Sequence, residues 1–548
     1  MGQIYLASIL AFWSVMLVTA EDAYKYYDWT VTYKQAFPLG IPQQVIHING
    51  SFPGPTIDCV TNDNIIVNIV NQLDVPFLLT WNGIKQRKNS WQDGVLGTNC
   101  PILPGKNFTY KFQTKDQIGS FTYFPSTAMQ RAVGGFGAFN VLARSVISVP
   151  YEKPAGDYSL LIGDWQKDNH KILQQKLDLG QTLPDPVAIL INGAQQGLNF
   201  SGEQGKTYMF RISNIGLAIH INFRIQSHKL KLVEVEGCNV NQTTYESLDV
   251  FVGQTVTVLV TLDQPPSAYY IVASSTFAKT YLNTTAVLKY TTANVSKPAG
   301  LVPIGPDSNL DWSMNQSMSI RWGLKVNAAR PNPQDSYHYS KIKINRTITL
   351  ENSARVVTGK QRYAVNNISY VIPETPLKLA DFFQIPNVFQ LNFPQNASLT
   401  GPNYGFYTYV LGVSLHEFVE IVFQNNEEML QTWHLDGYDF WVMGMGKGQW
   451  TNDSRYSNSH TGTDGYNLRD AYTRHTLQVF PKSWAAIYVS LDNVGMWNLR
   501  SAMWPRQYLG HQLYIRVNNS VQSSTIEYTI PHNTILCGKA ENETIPTS

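Results

Sequence analysis

Short runs of β-branched and aromatic residues, each cut off by Gly, Pro, Asn or Asp, recur along the chain; residues 44–49, 65–70, 255–262, 418–423 and 487–491 are examples. Such a run suits a pleated, half-buried strand, and the turn residues at its ends stop it continuing as a helix. Helix-period segments are almost absent, and residues 171–179 are the best short candidate. Many short strands can bury their apolar faces only as sandwiches or barrels, so the expected fold class is all-β. At 548 residues the chain exceeds a single core, since domains commonly hold roughly 100–200 residues. Turn-rich stretches near residues 149–157 and 291–311 break the strand rhythm and divide the chain at 21–148, 149–300 and 301–548. The first and third parts echo each other: Thr80-Trp81-Asn82-Gly83 follows an apolar strand, as does Trp433-His434-Leu435-Asp436-Gly437.

Lys plus Arg number 41 against 39 Asp plus Glu, with no block of five like charges. Counterion release from a nucleic-acid backbone has little to work with, and no nucleic-acid partner is expected. Residues 1–20 carry an apolar run at 4–18 and then Val18-Thr19-Ala20 ahead of Glu21-Asp22, the pattern of a cleaved signal peptide rather than of a ~20-residue spanning helix. No later segment reaches 18 apolar residues and residues 539–548 are polar, so neither a transmembrane segment nor a lipid anchor is expected. Thirteen Asn-x-Ser/Thr sequons agree with a secreted, extracellular glycoprotein: Asn49, Asn107, Asn199, Asn241, Asn283, Asn294, Asn315, Asn345, Asn367, Asn396, Asn452, Asn518 and Asn542. Cys59, Cys100, Cys238 and Cys537 allow three disulfide pairings in an oxidising compartment, and none has CxxC spacing. The oligomeric state is left open.

Hydrolase and phosphate signatures are missing: the chain has no G-x-S-x-G, no HExxH and no G-x-x-x-x-G-K-[ST]. His47, His170, His220, His228, His338, His416, His460, His475 and His532 are scattered without an H-x-H pair, which suits structural roles. Thirteen Trp and 30 Tyr supply faces that fill sandwich cores or stack on sugars, so a carbohydrate-binding module is one reading of the chain.

The phrases from Asn49 to Thr56 (NGSFPGPT), Gln92-Asp93-Gly94, Met129-Gln130-Arg131 and Asp439-Phe440-Trp441-Val442 resemble, in order along nearly the whole mature chain, segments of plant ascorbate oxidases and laccases, the multicopper oxidase family. The resemblance implies three cupredoxin-like (plastocyanin-like) Greek-key β-sandwich domains, the third with a C-terminal extension. Copper sites would lie in domain three and between domains one and three. A blue type 1 copper takes a Cys thiolate with two His, and the family's trinuclear cluster takes eight His in four H-x-H pairs. Against the family's HWHG this chain has Thr80-Trp81-Asn82-Gly83, and against YHxH it has Tyr123-Phe124-Pro125-Ser126. Against HPxHLHGH it runs from Gln431 to Tyr438 (QTWHLDGY), with Gln431 at the type 1 position, His434 retained and Asp436 in place of an imidazole. Against HCHIxxHxxxxM it has Arg500-Ser501-Ala502, then Arg506 and His511. Ser501 stands for the thiolate, and His511, at the axial position, is expected to act as a hydrogen-bonding residue. The resemblance therefore implies no multicopper catalysis and no cofactor, with at most one residual copper ion.

Longer phrases, RKNSWQDG at 87–94, ARPNP at 329–333, SYHY at 336–339 and GMWNLR at 495–500, are similar to the plant monocopper oxidase-like branch and its pollen-type L-ascorbate oxidase homologues. That likeness implies a non-catalytic cell-wall protein of polarised expansion such as pollen tube growth, with wall polysaccharide or a wall protein as partner. The alternative is an oxidase with residual mononuclear copper centred on His434. The resemblance also implies Cys100–Cys537 and Cys59–Cys238 disulfides. In place of the cluster it leads to an expected Asp436–Arg500 ion pair, with His434 and Asn82 hydrogen-bonded nearby and Phe124 filling volume, tying domain one to domain three.

Overall fold

The structure is a computed structural model that describes residues 22–306, 308–323, 341–399, 403–456, 465–521 and 523–546. The expected signal peptide at 1–20, the phrases at 329–339, and His338 and His460 lie outside the described residues.

The strand signals become two-sheet sandwiches because their apolar residues fall on one side of the pleat. In Asn64–Asn71, Ile65, Val67 and Ile69 are fully buried while the residues between them are partly exposed. Domain one pairs a four-stranded sheet, in the order Gln43–Ile48, Tyr24–Ala36, Asn64–Asn71, Asn107–Gln113, with a second built from β1 (Ile57–Val60), β2 (Leu79–Asn82), β3 (Gly119–Pro125) and β4 (Gly137–Leu142). The order of the second sheet is β1–β4–β3–β2. Domain two packs a seven-stranded sheet on a five-stranded one.

Domain three sets an eight-stranded sheet, which ends at β5 (Gly405–Tyr407), against a five-stranded one. The latter holds β6 (Val410–Ser414), β7 (Gln431–Leu435), β8 (Thr476–Val479), β9 (Gly495–Ser501) and β10 (Gln512–Asn518) in the order β6–β10–β9–β7–β8. The expected helix forms at His170–Asp178, where the Asn169 side chain caps the Lys171 and Ile172 amides. A helix at Leu310–Ser319 stands at the end of a stretch that reads as turn-rich.

Domains one and three are joined by the Cys100–Cys537 disulfide, by Lys85–Asp439 at 2.5 Å and Arg87–Asp492 at 2.9 Å, and by Trp504 Nε1 donating to the Ala128 carbonyl at 2.7 Å. The second expected disulfide is absent: Cys59 and Cys238 are free thiols. Cys59 on β1 pairs in register with Val141 on β4, Val141 pairs with Gly119 on β3, and Gly119 lies against Gly237. Two strand spacings of about 4.8 Å separate Cys59 from Gly119, so Cys238, beyond Gly237, stands outside the ~7 Å Cα reach of a disulfide.

Candidate functional site

Strand register assembles the site. β7 lies between β8 and β9, and His434 pairs with Thr476 on one side and Arg500 on the other. Cross-strand neighbours project from the same face, and Asp436, two residues after His434, joins them. His434 Nε2 donates to Asp436 Oδ1 at 2.9 Å, and Arg500 Nη1 donates to Asp436 Oδ2. On the other side of the ring, His434 Nδ1 lies 3.1 Å from Thr476 Oγ1 and 3.4 Å from His475 Nδ1. All of these side chains are buried. Burial and the Arg500 guanidinium push His434 down to about 3, so its imidazole is neutral at ordinary pH. Burial opposes the charge on Asp436, but Arg500 and His434 outweigh it and hold the carboxyl below its usual range. An ionised Asp436 can only accept, so the His434 proton resides on Nε2 and the Nδ1 lone pair faces Thr476 and His475.

Three domains meet around this row. Glu236 of domain two accepts the His475 and Thr476 amides at 2.8 and 2.9 Å. Gly83 of domain one lies against the His475 ring, where a Cβ would come within 2.4 Å of Nε2, and its φ of +87° already favours glycine. Asp93 of domain one sets its carboxyl against that of Asp436, and burial first, then this carboxylate, raise it well above the usual range. The Asp436–Arg500 pair lies within domain three, and Asp93 carries the link to domain one. Asn82, buried on β2, has no hydrogen bond to His434, whose partners are Asp436, Thr476 and His475.

Thr80 Oγ1 donates to the Asp93 carbonyl at 2.9 Å and Ser126 Oγ to the Gly94 carbonyl at 2.5 Å, so both hydroxyls serve the loop that carries Asp93. Phe124 lies under the Arg131 guanidinium at 3.9 Å and edge-on to Trp504 at 5.6 Å. Ala502 donates its amide to the Thr432 carbonyl at 2.8 Å. A second group of expected residues gathers beyond β7. Arg506 pairs with Glu427 at 2.5 Å and covers Tyr363 at 4.4 Å. Gln431 Nε2 donates to Asn425 Oδ1 at 3.1 Å, and Ser501 Oγ to the Thr432 carbonyl at 3.4 Å. His511 is fully buried edge-on to Trp433 at 4.4 Å, and neither ring nitrogen has a hydrogen-bond partner among the described residues; the hydrogen-bonding role expected for it is not met there. Burial and Arg506 keep this imidazole far below its ordinary range. His475 and Glu236 escape a reading by motif, because they lie in separate segments with no shared spacing, and Asp93 stands in a family phrase that does not point to a site role.

Multicopper oxidase family models match residues 30–146, 156–293 and 374–523. The chain belongs to the multicopper oxidase family. An L-ascorbate oxidase homolog of Nicotiana tabacum is 47% identical over 100% of this chain and 99% of its own length. The monocopper oxidase-like protein SKU5 of Arabidopsis thaliana is 45% identical over 97% of this chain and 92% of its own. The laccase of Botrytis aclada, at 20% identity and a TM-score of 0.73 over 91% of this chain and 89% of that one, shares the fold. The sandwiches are thus cupredoxin-like domains.

The family implies copper, but these residues do not suit it. His434 turns a protonated nitrogen toward the Asp436–Arg500 pair, and a guanidinium beside that ring repels a cation. The second group offers an amide, a hydroxyl, a guanidinium and one imidazole, with no thiolate. Among the described residues no group of three or more His, Cys, Asp or Glu is arranged to hold a metal ion.

Proposed function

We propose that this multicopper oxidase family member is a secreted glycoprotein that has lost the family's copper ligands and acts by binding or scaffolding in the cell wall during polarised expansion, such as pollen tube growth. One observation carries the reading. At the positions where the resemblance puts the trinuclear cluster stand an Asp436–Arg500 pair and a His434 whose two ring nitrogens are engaged. A salt bridge with hydrogen-bonded neighbours gives Asp436, His434 and Arg500 Nη1 their partners without a metal. The near-full-length likeness to a monocopper oxidase-like protein and to an L-ascorbate oxidase homolog supports the setting. No helix among the described residues is long and apolar enough to cross a membrane.

Metal analysis of the secreted protein tests the proposal. The expected result is a copper-to-protein ratio near zero, no intense blue band on adding copper, and no oxygen uptake with ascorbate above that of buffer. Ser501→Cys alone is expected to stay colourless, because Gln431 and Arg506 still stand where imidazoles are needed. A stoichiometric ratio with a paramagnetic copper signal would overturn the proposal and favour a mononuclear copper oxidase centred on His434.

A further inference from the structure

A groove of about 920 Å3 opens on the outer side of domain three, away from the buried row around His434. It lies where edge strands of both sheets, β5 and β6, come together with residues 391–396. Its lining contains no Asp, Glu, Lys or Arg among the described residues. Tyr404, Tyr407 and Tyr409 bring three phenol rings to it, and those of Tyr407 and Tyr409 lie 5.1 Å apart at 48°. Tyr407 is 47% exposed and Phe406, the β5 position before it, 44%, on opposite faces of the pleat. Asn392 and Gln395 add amides, which both donate and accept. Guanidiniums stand at the edge of the groove: Arg346 reaches the Gly412 carbonyl at 3.5 Å and pairs with Glu417 at 2.6 Å, while Arg355 lies over Tyr404 at 5.0 Å and Arg362 over Phe406 at 6.0 Å.

We propose that this groove binds a neutral polysaccharide chain. A pyranose ring has an apolar C–H face and a rim of hydroxyls that are at once donors and acceptors. Tilted tyrosine rings match the face, and amides with phenolic hydroxyls match the rim. A polyuronate would bring one carboxylate per sugar to a lining that itself carries no cation, with the Arg346 and Arg355 guanidiniums at its edge already held by Glu417 and the Tyr404 ring, so the lining favours a neutral polymer. The volume is in the range of built ligand sites. The wall setting in which such a polymer is met rests on the proposed function, but the chemistry of the groove does not.

Asn396, at the groove, is a sequon, so the test uses the full chain with Asn396→Gln to keep any sugar attached there out of the site. Calorimetric titration with cellohexaose and mannohexaose as neutral probes and hexagalacturonate as the charged one is expected to give saturable binding of at least one neutral probe. The charged probe is expected to give none. Tyr407→Ala and Tyr409→Ala should each weaken the neutral complex about tenfold, the ratio equivalent to ~1.4 kcal/mol for a lost ring contact, while Tyr407→Phe keeps most of it and melting temperatures stay unchanged. Failure of both neutral probes to saturate, tighter binding of hexagalacturonate, or affinity unmoved by both alanine variants would overturn the proposal. Copper measured in the same preparation judges the proposed function separately: a copper-loaded protein that binds cellohexaose sinks that reading and leaves the groove standing.

Discussion

Truncating Asp436 to Ala would strand Arg500 in the interior. The two side chains are 3% and 2% exposed. Without the carboxylate, Arg500 Nη1 keeps only Asn498 Oδ1 at 3.3 Å, and its Nη2 already lacks a partner. His434 Nε2 loses its acceptor as well. Breaking a buried ion pair from one side costs about 3–5 kcal/mol, mostly for the charge left behind. For a unit the size of domain three that loss lowers the melting transition by roughly 6–20 °C. Arg500→Ala should cost a comparable amount, because it leaves Asp436 charged beside a neutral imidazole. The double variant removes both charges and should lose less than the sum, with a coupling of about 2 kcal/mol or more. Urea unfolding of the four proteins gives the cycle, and hydrogen exchange over residues 431–436 and 495–501 locates the loss. If the double variant falls by the full sum of the singles, the two side chains do not act as a pair and the reasoning fails.

Acidity offers a second probe. The raised carboxyl of Asp93 means that stability is fully present below the unfolded Asp value of about 3.9 and is lost as pH rises from there toward the folded value. Asp93→Asn should therefore gain on the parent as pH increases from 4 to 8, and parallel stability curves would refute the raised carboxyl. His434 has the opposite sign: its folded value of about 3 lies below the ordinary 6.5, so its contribution is full above pH 6.5 and is lost as pH falls toward 3. A His434→Gln variant should show a shallower acid slope in that window, and an unchanged slope would count against a buried neutral ring. Burial pushes the Cys59 thiol up to about 12 and that of Cys238 to about 11. Iodoacetamide at pH 8 should accordingly leave Cys59 unlabelled in the folded chain and label two cysteines once it is denatured; no labelled cysteine after denaturation would contradict the free pair, since a Cys59–Cys238 bond removes both thiols.

Much of the architecture could be read from strand composition. The runs at 65–70 and 255–262 fall in strands Asn64–Asn71 and Thr255–Thr261, and that at 418–423 opens Phe418–Asn425. Those strands alternate or are buried throughout, so local pattern and tertiary context agree. The site was legible only in part. Asp436 and His434 share a motif, and two-residue spacing alone places them on one face. His475 looked isolated because its partner is 41 residues away and meets it through the pairing of β7 with β8, a register that no local spacing encodes. Asp93 stands in a readable phrase, but its raised carboxyl depends on burial and on a carboxylate brought from another domain. The Cys59–Cys238 expectation failed for a similar reason: a likeness of segments says nothing of the two strand spacings between the first thiol and the loop before the second.

The Cys100–Cys537 bond joins residues 437 positions apart, and that span has a meaning in time. A ribosome adding about 5–20 residues per second needs roughly 20–90 s to supply Cys537 after Cys100 has been made. Throughout that interval Cys100 is a thiol awaiting its partner while Cys59 already exists; Cys238, made 138 residues after Cys100, is present for roughly the last two-thirds, and in an oxidising compartment either can capture Cys100. The first sandwich withdraws Cys59 by closing over it within β1, whereas Cys238 stays partly exposed beside the end of Leu230–Val235 and meets Thr473 and Asp439 of domain three. Correct oxidation of this chain is thus a race between domain closure and thiol chemistry, in which domain one shelters Cys59 early and domain three reaches Cys238 only at the end.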